Sequence, residues 1–346
     1  MSTASIFSAE VLESRQLFSS TYTVTNLVSD GAVPAAHTDK NLVNPWGLVV
    51  GPFGIRVADN GSSSSTAYNG NGKTNGDIAH IPGGAGASDG APTGLVRNTT
   101  HGFVIHKGNK SAPATYITVN EDGGIIGYNK AVSKNGILAH DSSDEGNIYK
   151  GVTIASSGGK NYLYAADFHG KRVEVYDDKF NDADLKGNFK EPKLPSDYGP
   201  FNIATYEDHI YVTFAKTQKG SGDEKDGPGL GIIDEFNTNG TFVKRIATGG
   251  TLNAPWGMAW ADHDFGFVHE DDMLVGNFGD GRINVFSSSG KFRGQLDGAN
   301  GKPIAINGLW GIAFGNDQAG VRKDRLYFAA GANDEADGLL GSIRVS

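Results

Sequence analysis

A short step, Trp46-Gly47-Leu48, returns along the chain at intervals of roughly 50 residues, and this period limits the fold more than any other feature. Its versions are His101-Gly102-Phe103, Lys150-Gly151-Val152, Phe201-Asn202-Ile203, Trp256-Gly257-Met258 and Trp310-Gly311-Ile312. A chain of 346 residues is too long for one simple core. A repeat resolves this, because each unit buries its apolar faces against its neighbours.

The third repeat shows the recipe. Val152-Thr153-Ile154-Ala155 is a short apolar strand, residues 156–161 a turn, Tyr162-Leu163-Tyr164-Ala165-Ala166-Asp167 a second strand, and Arg172-Val173-Glu174-Val175-Tyr176 a third. The fifth repeat adds a fourth strand around Lys291-Phe292-Arg293-Gly294-Gln295-Leu296. Four antiparallel strands per unit make a propeller blade, so six steps predict an all-β, six-bladed β-propeller. The last repeat supplies only three strands. Tyr22-Thr23-Val24-Thr25-Asn26-Leu27-Val28 is left over at the other end and is expected to complete that blade and close the ring.

Composition agrees. Glycine is 50 of 346 residues, about twice the average share of about 7%, as a turn-rich β protein requires. The net charge of −9, from 30 basic and 39 acidic residues, is spread along the chain without a basic patch, which argues against nucleic acid as a partner. Cysteine is absent, excluding disulfides, thiolate metal sites and a cysteine nucleophile. No apolar run approaches the length of a membrane helix, and no classical signal peptide is present.

The domain reading is a tail at 1–20 and a propeller at 21–346. Residues 216–228, charged and Gly-rich, are expected to be a mobile surface loop between strands of the fourth blade.

Propeller topology brings two sets of residues to one mouth of the central channel: those just before each step and those ending each second strand. The candidate metal ligands are Asn44, Asp59, His101, His140, Asp167, His169 and Asn277, with calcium favoured by the oxygens and zinc or copper by the histidines. Lys150, Asn202, Asn307 and Asn333 are candidate ligand-binding residues; His37, Asn60, Asn253, Asp280 and Asp334 belong to the same rim. Against this stands a structural role, in which Asn and Asp side chains cap backbone amides in turns. The tryptophans read as packing between blades or as a stacking platform. His101 and Lys150 break the aromatic rule of the step and are the positions to inspect first. No catalytic motif is present, so catalytic residues are unknown and an enzymatic role is open.

The stretch Asn26-Leu27-Val28-Ser29-Asp30-Gly31, Ala36-His37-Thr38-Asp39, Asn41-Leu42-Val43-Asn44-Pro45-Trp46-Gly47-Leu48 and Val57-Ala58-Asp59-Asn60-Gly61, with Ala254-Pro255-Trp256-Gly257-Met258-Ala259 and Gly308-Leu309-Trp310-Gly311-Ile312-Ala313, resembles a family of uncharacterised, often exported bacterial and fungal proteins. That resemblance implies a six-bladed propeller similar to NHL-repeat and gluconolactonase-like proteins, the latter holding a metal in the channel. Leu12-Glu13-Ser14-Arg15-Gln16-Leu17-Phe18-Ser19 resembles the LEPR-x-LL export-associated motif of planctomycete-like bacteria, with Ser14 and Phe18 departing from it. Three functions are consistent with these readings: an extracellular or cell-surface binding scaffold presenting one face to a protein, a glycan or a like subunit; a metal-dependent, lactonase-like hydrolase or lyase at the channel mouth; and a subunit of an extracellular fibre or surface assembly.

Overall fold

The computed structural model describes residues 20–346, so the 12–19 stretch and nearly all of the expected tail lie outside the described residues. Six sheets are arranged around one axis. Blade one is built from Pro45–Gly51, Gly54–Asp59, Ser64–Tyr68 and Ala79–His80; blade two from Pro92–Arg97, Tyr116–Asn120, Gly124–Tyr128 and Ile137–Asp141. Blade four uses Tyr198–Tyr206, His209–Thr217, Ile232–Asn237 and Phe242–Thr248, and blade five Pro255–Trp260, Met273–Asn277, Ile283–Phe286 and Phe292–Gln295. Blade three has three strands, Tyr149–Ser157, Lys160–Asp167 and Arg172–Asp177; an isolated bridge from Tyr176 to Asp182 stands where its fourth would be.

Closure follows the expectation. Leu309–Phe314, Leu326–Ala332 and Asp337–Val345 form blade six with Thr21–Ser29, which pairs antiparallel with the C-terminal strand in the register Tyr22 to Val345 and Thr23 to Arg344. Pairing these two strands covers an edge of each.

Period-two alternation explains why the second strands read as unbroken apolar runs. In Lys160–Asp167, Leu163 and Ala165 join the core shared with blade two, while Tyr164 and Ala166 join the core shared with blade four. Both faces are buried, so neither can be polar. Val57 and Ala58, and Leu274 and Val275, divide in the same way between their two neighbours.

The glycine of the step is required where inner strands converge. A Cβ at Gly47 would fall 2.5 Å from Thr93 O, one at Gly257 2.5 Å from Trp310 O, and one at Gly311 2.6 Å from Trp46 O. Each is a backbone atom of the next blade, which cannot move aside.

This ring of contacts corrects one expectation. The second blade's step is Thr93-Gly94-Leu95, in the inner strand Pro92–Arg97, because Gly47 closes on Thr93 and Gly94 in turn closes on Gly151 and Val152. His101-Gly102-Phe103 lies in the connection leading to a hairpin, Val104–Lys107 with Lys110–Pro113, at the opposite end of the blade from the mouth. The 216–228 insertion also differs from a simple surface loop. Its residues Glu224–Lys225 pair back antiparallel onto Lys216 and Thr217, which brings Glu224 over the mouth beside Lys150.

Candidate site at the channel mouth

The residue preceding each glycine of the step points along the axis. Trp46, Trp256 and Trp310 meet there with Phe168, Phe201 and Phe278 in a seventh apolar cluster, separate from the six between blades. Trp46 and Trp310 are stacked with centroids 3.5 Å apart, Phe278 stacks on Trp310 at 4.0 Å, and Trp256 meets both tryptophans edge-on at 6.1 and 5.6 Å. Blades one and five are not neighbours, so a contact between Trp46 and Trp256 crosses the channel. The tryptophans therefore plug the axis and are neither wedges between blades nor an open platform; Trp46 is 3% exposed and Trp310 0%. Beyond the plug the inner strands line an open recess of about 360 Å³, with Leu48, Leu95, Val152, Ile203, Met258 and Ile312 among its walls.

Thr93 and Lys150 take the axial place in blades two and three, and Lys150 turns a gap in the plug into a polar cup. Its side chain is 2% exposed. Its Nζ donates to Glu121 Oε1 at 2.5 Å and stands 4.9 Å from the centre of the Trp46 ring, a cation–π contact. Its carbonyl accepts the Trp256 Nε1–H at 3.1 Å from across the channel. The network runs on around the rim: Asn60 Nδ2 donates to Glu121 Oε2 at 3.0 Å, and Asn44 Nδ2 to Asn60 Oδ1 at 3.4 Å.

Two further carboxyls close the cup. Glu224 arrives on the blade-four insertion, and burial pushes its carboxyl up to about 7, with Glu335 and Asp223 adding to the rise and Lys150 opposing it. Glu335 follows the second strand of blade six; burial raises its carboxyl too, Glu121 adds repulsion, and Asn44 and Trp310 lie beside it. Burial alone would pull the Lys150 ammonium down, and Glu121, Glu224 and Asp223 reverse this, so it stays charged. Asn44 Oδ1, Glu335 Oε1 and the indole nitrogens of Trp46 and Trp310 are buried without a hydrogen bond of normal geometry.

Of the residues singled out in the sequence, Asn44, Asn60 and Lys150 are in this cup. Asn202 lies on the axis but is spent on structure: it stands where other blades have glycine, and its Nδ2 donates to Trp256 O at 2.8 Å. Asp167 Oδ1 accepts the amides of Ile148 and Gly170 at 3.2 and 2.9 Å, a turn cap. Asn277 Nδ2 donates to Thr251 O and to Asp280 Oδ1, and Asn307 Oδ1 accepts the Asn333 amide. Asn333 itself donates to Asp337 at 2.6 Å. Asp59 is fully buried behind the rim, where burial lifts its carboxyl well above the usual range. His140 is held by Phe180 O and Ser142 Oγ on the outer strand of blade two, His101 and His169 are exposed on separate loops, and His37 is exposed in the short strand His37–Thr38. The candidate metal ligands are thus not brought together: among the described residues, no group of three or more His, Cys, Asp or Glu side chains is placed to hold a metal ion. Nor is any helix among them long and apolar enough to cross a membrane.

Glu121, Glu224 and Glu335 were missed. Glu121 directly follows the second strand Tyr116–Asn120 and so stands one residue beyond the position of Asp59 in blade one and Asp167 in blade three, a place the misplaced step at His101 hid. Glu335 lies one residue beyond the noted Asn333-Asp334 pair. Glu224 had no sequence signal, since only the folding-back of the insertion brings it to the axis.

No known family model matches the chain. Among solved structures, it resembles a soluble aldose sugar dehydrogenase of Escherichia coli with a TM-score of 0.53 at 14% identity, covering 94% of this chain and 100% of that one. It resembles the calcium-binding protein regucalcin of Agrobacterium tumefaciens with a TM-score of 0.52 at 12%, covering 88% and 90%. For virginiamycin B lyase of Staphylococcus aureus the TM-score is 0.51 at 13%, covering 94% and 100%. At such identities the likeness is one of fold. The curated relatives are viral, where the sequence resemblance had implied bacterial and fungal ones: an uncharacterised protein L690 of Acanthamoeba polyphaga mimivirus is 35% identical over 332 residues, 93% of this chain and 86% of that protein. A second, R648 of the same virus, is 31% identical over 333 residues, 93% and 80%. The chain therefore belongs to the family of six-bladed propellers that includes these uncharacterised mimivirus proteins.

Proposed function

We propose that this chain is a binding propeller that takes a small polar ligand into the cup at the channel mouth. The observation that carries the reading is Lys150, an ammonium buried to 2% exposure in a place where four of the other five blades put an aromatic ring. A buried ion pair contributes little net stability compared with packed apolar side chains of the same size. Its presence at the mouth, above a sealed axis and beside unpartnered polar atoms, is what a recognition site requires. The setting we propose is extracellular or at a cell surface, following the resemblance to exported proteins, with the mouth face turned to the ligand or to a glycan that carries it.

The test is a thermal-shift screen of the full chain against sugars, amines, carboxylic acids and nucleosides, repeated with Lys150→Met and Glu335→Gln. A compound whose affinity changes at least tenfold in either variant supports the reading. Absence of any such compound, or binding equal in all three proteins, overturns it.

One observation favours a second reading. Glu224, poised near neutrality beside an ammonium, has the property of a general acid or base. Hydrolysis or elimination without a metal ligand set would then depend on it, and Glu224→Gln would abolish turnover of a lactone and ester panel by the wild-type chain. Turnover unaffected by that substitution, or none in the wild type, removes this reading.

A further inference from the structure

The cup holds one cation and a surplus of carboxyls. Glu121 is paired with Lys150. Glu224 and Glu335 repel each other, feel Asp223 and Glu121 respectively, and among the described residues neither has a cation within ion-pair distance. An independent sign comes from Asn44. It is 7% exposed, and its Oδ1 has no donor. A Cβ at Gly331 would fall 2.2 Å from that oxygen and 3.3 Å from Glu335 Cγ, so amide and carboxyl share one corner of the cup. Glu335 Oε1 and Asn44 Oδ1, both acceptors, are buried without a donor of normal geometry, and the Glu224 carboxyl lies within charge range of Glu335.

We propose that this second half of the cup receives the ammonium group of a small organic amine, an inference that rests on the mouth being the ligand site. An ammonium brings three N–H donors and one positive charge, and it needs only two or three acceptors at hydrogen-bond distance. A calcium ion needs six to eight oxygens, more than converge here, and two charges would sit beside Lys150. A neutral polyol could satisfy the acceptors but would leave the repulsion between Glu224 and Glu335 in place. A carboxylate ligand would add to it. The Lys150 ammonium over Trp46 already shows the same recognition performed once within the chain. The Trp46 and Trp310 faces are covered by each other, so selectivity comes from charge and hydrogen bonds and not from ring stacking.

The proposal predicts proton release. Bound amine favours ionised Glu224 and Glu335, while Glu121, Asp223 and Lys150 are the other charged groups facing them; affinity should rise between pH 6 and pH 8. Calorimetric titration of the full chain with glucosamine, glucose, choline, 1,5-diaminopentane and calcium chloride, at both pH values, tests this. Glucosamine or the diamine is expected to bind at least tenfold more tightly than glucose, and a Glu224→Gln, Glu335→Gln double variant of unchanged melting temperature should lose at least tenfold. Lys150→Met is expected to strengthen amine binding by freeing Glu121. Equal binding of glucose and glucosamine, weakened in the double variant, overturns the amine class while leaving the mouth as the site. Calcium bound in preference to amines overturns the class as well. Choline binding as tightly as the primary amines overturns the three-donor recognition. Amine binding unchanged in the double variant, or no binding by any probe, overturns the proposal, and the screen above then decides whether the mouth binds anything else.

Discussion

Among the described residues two cations are buried to the same 2%, and they are buried for different ends. Arg56 lies between blades one and two. Its Nε and Nη2 donate to Ser65 Oγ and O at 2.8 and 3.0 Å, its Nη1 to Asp77 Oδ2 and O at 3.0 and 3.2 Å, and its guanidinium stands 4.6 Å from the Tyr128 ring centre and 5.6 Å from Tyr116. One partner carboxylate, also hydrogen-bonded by Tyr128, balances it. Lys150 has one hydrogen bond and more carboxyls than it can neutralise. A closed account around a buried charge marks a clamp, whereas a surplus marks a place left for something else.

Substitution should separate the two. Arg56→Met strips partners from Asp77 and Ser65 inside an interface and is expected to cost about 3 kcal/mol, measured by chemical denaturation, with ligand affinity unchanged. Trp256→Phe removes the cross-channel hydrogen bond to Lys150 O and part of the plug, for about 1–2 kcal/mol. Lys150→Met should cost less than about 1 kcal/mol, because Glu121 is 30% exposed and can turn to water while the burial cost of the ammonium disappears. A loss as large as that of Arg56→Met would make Lys150 a clamp as well.

A further test is in pH. The Glu224 carboxyl is raised in the fold from its ordinary 4.5 to about 7, so the folded state holds its proton longer than the unfolded chain does. Its contribution is therefore full below pH 4.5 and is lost as pH rises through about 7. Glu224→Gln should flatten that part of the stability curve; an unchanged slope in calorimetric melting between pH 5 and 8 would mean that the cup does not hold the carboxyl as described.

Much of the fold was legible because burial on both faces imposes a pattern that a single chain must carry. Leu163 to Ala166 read as a strand packed on both sides, and Tyr22 to Val28 read as the missing strand of the last blade. The second blade misled because Thr93-Gly94-Leu95 has no aromatic residue, while His101-Gly102-Phe103 copies the phrase nearby. The glycine contact, and not the ring before it, is the part of the step that geometry demands: Gly94 must meet Gly151 and Val152, and nothing requires an aromatic ring at position 93. Among site residues, Asn44 and Lys150 were legible because they adjoin the step. Most of the other Asn and Asp candidates proved to cap turns or brace strands, a role that depends on short-range geometry the sequence shares with a binding rim.

By itself, then, the sequence determined a closed six-fold β ring, through period, alternation and the glycine that lets inner strands touch. Tertiary structure alone decided the site. Glu121, Glu224 and Glu335 are about 100 residues or more apart from one another along the chain, and their meeting at Lys150 depends on ring closure and on the return of the blade-four insertion, neither of which leaves a local mark. Local patterns record what each strand packs against; charges brought together around an axis record only where the strands end.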